Sequence, residues 1–188
     1  AQAKSKTLPF TESRELVESL LASSYQNAKI EAEKNLIEAS KQLSFNVQNL
    51  RLFTFYGPKL PLNEHFAIGN FMYQALTENS IKIQAPNTIR SYMHIADLIR
   101  ALLLVIGEHK NQTLNIGSNV EFSMSELSEK FHEIFTEKRI KIFTDSNSSL
   151  QSYYVPDTTT FCKKFNFEEI INFQKGLLDW KNFLLRKN

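Results

Sequence analysis

The 188-residue chain is 42% hydrophobic with a net charge of +2, enough apolar material for a core, and its basic residues are scattered among acids instead of forming the stripe that nucleic-acid binding requires. One cysteine, Cys162, leaves no internal disulfide framework and suits a reducing compartment, so a cytoplasmic location is expected. The longest strongly apolar run, Ala101 to Ile106, falls far short of the roughly 20 residues of a bilayer span, and the polar N-terminus carries no secretory stretch, so no membrane association is expected.

The chain opens Ala1-Gln2-Ala3-Lys4 without an initiator methionine and runs straight into loop-like residues, which reads as a piece of a longer protein. A short amphipathic piece around Glu15 to Leu21 precedes Ser23 and Gln26, a Ser-x-x-Gln helix start, and a helix from about Ser24 to Gln42. Phe45 to Phe55 reads as a strand stopped by Tyr56-Gly57-Pro58. Helical spacing runs from Asn63 to Glu78, two short strands (Ile81 to Gln84, Ile89 to His94) flank the turn Ala85-Pro86-Asn87-Thr88, and a helix follows from about Ile95 to Glu108. Gln112 to Ile116 is a strand closed by Gly117-Ser118-Asn119. Ser123 with Glu126 forms a second capping pattern, opening a helix from Met124 to Phe135. Arg139 to Phe143 returns as a strand, Asp157 caps a short helix near Thr158 to Lys164, and a last helix lines up Leu177, Trp180 and Leu184. Strands alternating with helices, without repeats or linkers, indicate an α/β architecture.

Tyr25 and Lys29 lie one helical turn apart, so a phenol and an ammonium leave the same face. A phenol ionises near pH 10, and a fixed positive charge beside it favours phenolate, which makes such a pair a possible base. Spacing alone does not separate this from an ordinary solvated i,i+4 contact. The histidines have no metal-ligand spacing, so no metal is expected.

Read in order, the chain resembles the second half of the extended short-chain dehydrogenase family, the NAD-dependent nucleotide-sugar epimerases and dehydratases. The likeness runs through Pro9-Phe10-Thr11-Glu12, Tyr25-x-x-x-Lys29 with Glu33, and Leu50 to Pro58. It continues through Ile89-Arg90-Ser91-Tyr92-Met93-His94-Ile95-Ala96-Asp97, Leu114-Asn115-Ile116-Gly117-Ser118, Tyr154-Val155-Pro156-Asp157 and Gly176-Leu177 to Trp180. The resemblance implies the C-terminal part of a Rossmann-type doubly wound sheet plus a small α/β substrate-binding domain. Residues 1–58 would hold the tyrosine-lysine helix and the last Rossmann-type strands, and residues 59–188 the substrate-binding region, with some segments returning to the sheet.

By the same resemblance, Tyr25 would be the general acid/base, coupled to hydride transfer with NAD or NADP. Lys29 would lower its pKa and hold the cofactor ribose. Thr54 would contact the sugar nucleotide and Arg90 its diphosphate, for which a guanidinium fork is suited. On residue type alone, Thr54 reads first as a strand former and Arg90 as a surface arginine; Arg51 reads as structural, and His94 with Asp97 as caps of the following helix. The tyrosine helix would pack against its counterpart in a homodimer.

The pattern also departs from the family. The five glycines, Gly57, Gly69, Gly107, Gly117 and Gly176, form no glycine-rich pyrophosphate turn, so the cofactor-binding half is read as absent, together with the catalytic Ser or Thr, for which Ser5 and Thr7 are weak substitutes. The loop from Asp145 to Leu150 has Asn147 and serines where relatives carry a second phosphate-binding arginine. Two further readings stay open: a non-catalytic nucleotide-sugar-binding relative, and a reductase of a small carbonyl compound.

Overall fold

Alanine, glutamate, lysine and leucine dominate α1 (Ser24–Leu43), with no glycine or proline to interrupt them, so local preference alone favours this helix. It ends where Ser44 turns left-handed at φ 55°. Within α1 only Ser40 is buried. The computed structural model describes residues 9–13, 24–62, 66–145 and 151–186. Ser5, Thr7, the piece from Glu15 to Leu21, the Ser23 cap, the helix start at Asn63, His65 and the Asn147 loop lie outside the described residues.

β1 (Gln48–Leu52) runs parallel to β6 (Gln112–Ile116), in register from Gln48 opposite Gln112 to Leu52 opposite Ile116. The strand expected from Phe45 to Phe55 is broken in two. Phe53 donates its N–H to the Ile116 carbonyl at 2.9 Å, and the Thr54 carbonyl then accepts the Met93 N–H at 3.1 Å. From there β2 (Phe55–Tyr56) pairs in parallel with β5 (Met93–His94). The chain thus changes partner at Phe53-Thr54, from β6 to β5. The following turn needs Gly57, whose φ is +137° and where a Cβ would stand 2.6 Å from Ile95 Cγ2.

The two strands expected around the Ala85-Pro86 turn form, but they do not pair with each other. β3 (Ser80–Ile83) pairs in parallel with β8 (Lys141–Thr144), while β4 (Ile89–Ser91) lies between antiparallel β7 (Glu121–Ser123) and parallel β9 (Tyr153–Tyr154). β7 and β9 were not anticipated, because runs of three and two residues carry no readable alternation.

Four helices beyond α1 follow the expected order: α2 (Ala67–Thr77), α3 (Ile95–Val105), α4 (Met124–Ile134) and α5 (Thr159–Phe165), with α6 (Phe173–Leu185) closing the chain. Ser123 and Glu126 form the expected capping box of α4, and Asp157 accepts the Thr159 N–H at 2.9 Å at the start of α5. One apolar cluster joins Tyr56, Ile68, Phe71, Leu127, Phe131, Leu177 and Trp180 from β2, α2, α4 and α6. A second joins Met93, Leu98, Ala101, Leu114, Ile116 and Phe161 around β5, α3, β6 and α5. Among the described residues no helix is long and apolar enough to cross a membrane.

Candidate active site

A cleft of about 730 Å³ opens beside the Phe53-Thr54 switch point. Tyr25, Thr54 and Arg90 all line it, so three of the four residues singled out in the sequence meet at one cavity. Lys29 is outside the lining and sits behind Tyr25, its ammonium 5.5 Å from the centre of the phenol ring. The Tyr25 side lies open to solvent, at 69% exposure.

A charged bridge ties α1 to the sheet. Arg51 on β1 donates from Nε and Nη2 to the Glu33 carboxylate at 3.0 and 2.6 Å, and from Nη1 to the Glu12 carbonyl at 3.1 Å. This bidentate bridge links the strand that leads to Thr54 with the helix that carries Tyr25 and Lys29, in keeping with a structural role for Arg51.

Arg90 stands on β4 with its guanidinium 5.9 Å from the Tyr154 ring centre. Its acceptors are neutral: the Ile89 carbonyl at 2.8 Å, the Ser152 carbonyl at 3.2 Å and Ser152 Oγ at 2.7 Å. Burial pushes its pKa below the ordinary guanidinium value. Among the described residues no carboxylate pairs with it, leaving a partly buried cation without a counter-ion. Tyr154 stacks on Phe53 at 4.5 Å and meets Phe10 edge-on at 5.5 Å. Burial raises the Tyr154 phenol above its usual value, with Arg90 opposing, and raises that of Tyr92.

Sequence reasoning missed several lining residues. Lys82, Gln84 and Thr88 form part of the wall; Lys82 adds a second cation, itself paired with Glu78 at 3.6 Å, and no acid is among the described lining residues. Alternation along β3, with Ile81 and Ile83 buried, could have turned Lys82 away from the core. Tyr154 stood in a quoted stretch without a role, and Ser152 carried no signal at all.

His94 caps α3 as anticipated, its Nδ1 accepting the Ala96 N–H at 3.2 Å. Asp97 does something else. It is fully buried and accepts the N–H groups of Ile170 and Ile171, at 3.2 and 2.9 Å, while pairing with Arg100. It therefore fastens the segment before α6; the expectation of a helix cap is corrected because its carboxylate is spent on backbone 73 and 74 residues away.

The donor set suits the ribose end of a nicotinamide cofactor. Among the described residues neither the Tyr25 hydroxyl nor the Lys29 ammonium has a hydrogen-bond partner, so both are free to bind hydroxyls. No glycine turn for a pyrophosphate occurs among those residues: of the five glycines, only Gly57 and Gly107 have positive φ, and neither opens a helix. No group of three or more His, Cys, Asp or Glu there could hold a metal ion.

The NAD dependent epimerase/dehydratase family matches residues 3–117. UDP-glucuronic acid decarboxylase 3 of Arabidopsis thaliana is 26% identical over 168 residues, covering 88% of this chain and 49% of its own length. The chain thus spans about half the length of the curated relatives it matches. A dTDP-glucose 4,6-dehydratase from Bacillus anthracis, solved in complex with NAD, superposes with a TM-score of 0.81 at 21% identity, over 97% of this chain and 57% of that one. A UDP-N-acetylglucosamine 4-epimerase from Methanobrevibacter ruminantium, in complex with UDP-N-acetylmuramic acid, gives 0.84 at 17% identity, over 97% and 59%. At these identities the structures speak for the fold alone, a partial Rossmann-type α/β fold like theirs. The family match over more than half of the chain carries the assignment: this chain belongs to the NAD-dependent epimerase/dehydratase family.

Proposed function

We propose that the cleft is the substrate side of an NAD(P)-dependent nucleotide-sugar epimerase or dehydratase. In this reading Tyr25 is the acid/base, Lys29 holds the cofactor ribose, Thr54 contacts the sugar nucleotide and Arg90 binds its diphosphate. The observation that carries it is the convergence of Tyr25, Thr54 and Arg90 on one cleft whose described lining residues include no carboxylate. A diphosphate would give the guanidinium of Arg90 the counter-ion it lacks. The relative and neighbours named above bear the names of enzymes acting on nucleoside-diphosphate sugars, which supports the same handle here.

Bound NAD(P) supplies the hydride acceptor and donor at a sugar carbon. Tyr25 moves the proton of the sugar hydroxyl, its own hydroxyl having no hydrogen-bond partner among the described residues. Arg90, holding the diphosphate, sets the reach of the sugar toward Tyr25, with Thr54 lining the same cleft.

Replacing Tyr25 with Phe in the full natural protein should lower turnover about 100-fold or more while leaving cofactor binding and melting temperature close to wild type. Turnover unchanged in the Phe variant would remove Tyr25 from this role.

The same reading divides the chain near residue 58 and has later segments return across that boundary, supported by the packing of α3, β6 and α5 with Leu50 and Phe55 in the second apolar cluster. It also extends to a cytoplasmic homodimer joined through α1, supported by the outward Leu36, Ile37 and Leu43.

A further inference from the structure

The guanidinium of Arg90 has five N–H groups. Nη1 makes two bonds, to the carbonyls of Ile89 and Ser152, and Nη2 makes one, to Ser152 Oγ. Among the described residues Nε–H and one Nη2–H have no acceptor; because Ser152 engages both Nη1 and Nη2, the open pair falls on the Nε side of the guanidinium plane, the arrangement that meets two oxygens of a phosphate side by side. Ser152 is itself fixed by the sheet. Its carbonyl also accepts the Ile89 N–H at 2.8 Å, and the next two residues pair with β4, Ile89 opposite Tyr153 and Arg90 opposite Tyr154. One residue therefore grips both terminal nitrogens, from a position set by backbone pairing, while the Tyr154 ring lies 5.9 Å from the guanidinium carbon.

We propose that Ser152 is the positioning residue for Arg90: its hydroxyl and carbonyl hold the guanidinium so that the remaining N–H pair is presented to a diphosphate in the cleft. This rests on the assignment of Arg90 to the diphosphate. A long arginine side chain left free loses rotamer entropy each time it captures an anion, and a held one has already lost it. Ser152 thus raises affinity without touching the ligand.

The test is calorimetric binding of UDP and of uridine to the full natural protein and to Ser152→Ala, Ser152→Thr, Arg90→Ala and the Ser152→Ala/Arg90→Ala double variant. Ser152→Ala should weaken UDP about 5-fold, leave uridine unchanged, and add nothing in the Arg90→Ala background, with Ser152→Thr restoring wild-type affinity. A merely structural serine would weaken UDP and uridine alike. That result, or a Ser152→Ala loss that persists in the absence of Arg90, or no loss at all while Arg90→Ala weakens UDP, overturns the positioning role alone. UDP binding indifferent to Arg90→Ala overturns the diphosphate assignment, and the positioning role with it.

Discussion

The two sides of the cleft are built by different physics. The wall formed by β4, α2 and α4 backs onto an apolar cluster in which Ile68, Leu127, Phe131, Leu177 and Trp180 are fully buried. Across from it, α1 contributes one buried residue, Ser40, and is tied to β1 by the Arg51–Glu33 bridge, while Leu36, Ile37 and Leu43 face outward. The difference teaches that Arg90 and Thr54 are placed by packing and strand pairing inside the described residues. Tyr25 and Lys29 sit on a helix favoured by its own residues, whose described tie to β1 is the Arg51–Glu33 bridge.

The contrast is broken most directly on the packed side. Phe131→Ala removes a ring from the first cluster and should cost about 3–5 kcal/mol in chemical denaturation; a loss below about 1 kcal/mol would show that this wall does not depend on its core. On the other side, Arg51→Ala should cost about 1–2 kcal/mol and act locally. Hydrogen exchange of the α1 amides should accelerate more than that of α4, and equal acceleration in both helices would remove the distinction. The smallest effect concerns the turn that joins the two clusters. His94 accepts the Ala96 N–H, and burial holds its imidazole below the ordinary value of 6.5, with Asp97 and Asp179 opposing and Lys175 reinforcing the shift. A depressed pKa means that the fold favours the neutral ring. Its stabilising contribution is therefore complete above the ordinary value and is lost as pH falls through the depressed one. His94→Asn keeps a cap acceptor without a titration, so it should flatten that acid-side decline while leaving stability above the ordinary value close to wild type; an unchanged decline in thermal melts against pH would exclude His94 as its source.

Much of the site was legible because its residues sit in motifs of fixed local form. The i,i+4 spacing of Tyr25 and Lys29 guarantees a shared helix face, and the ordered stretches around Thr54 and Arg90 point to a family by themselves. Ser152 and Lys82 were not legible, since their roles come from what β9 and β3 are brought against. Asp97 was misread as a local cap because the groups it satisfies, at Ile170 and Ile171, are distant in sequence.

By itself the sequence determined what depends on near neighbours: the length of α1, the capping box of α4, the glycine demanded after β2 and the alternation that makes this an α/β chain. Only the tertiary structure decided the change of strand partner at Phe53-Thr54, the pairing of β4 with β7 and β9, and the convergence of Tyr25, Thr54 and Arg90 on one cleft. Periodicity records which face of an element is apolar, whereas strand partners are chosen by backbone groups that every residue except proline carries alike.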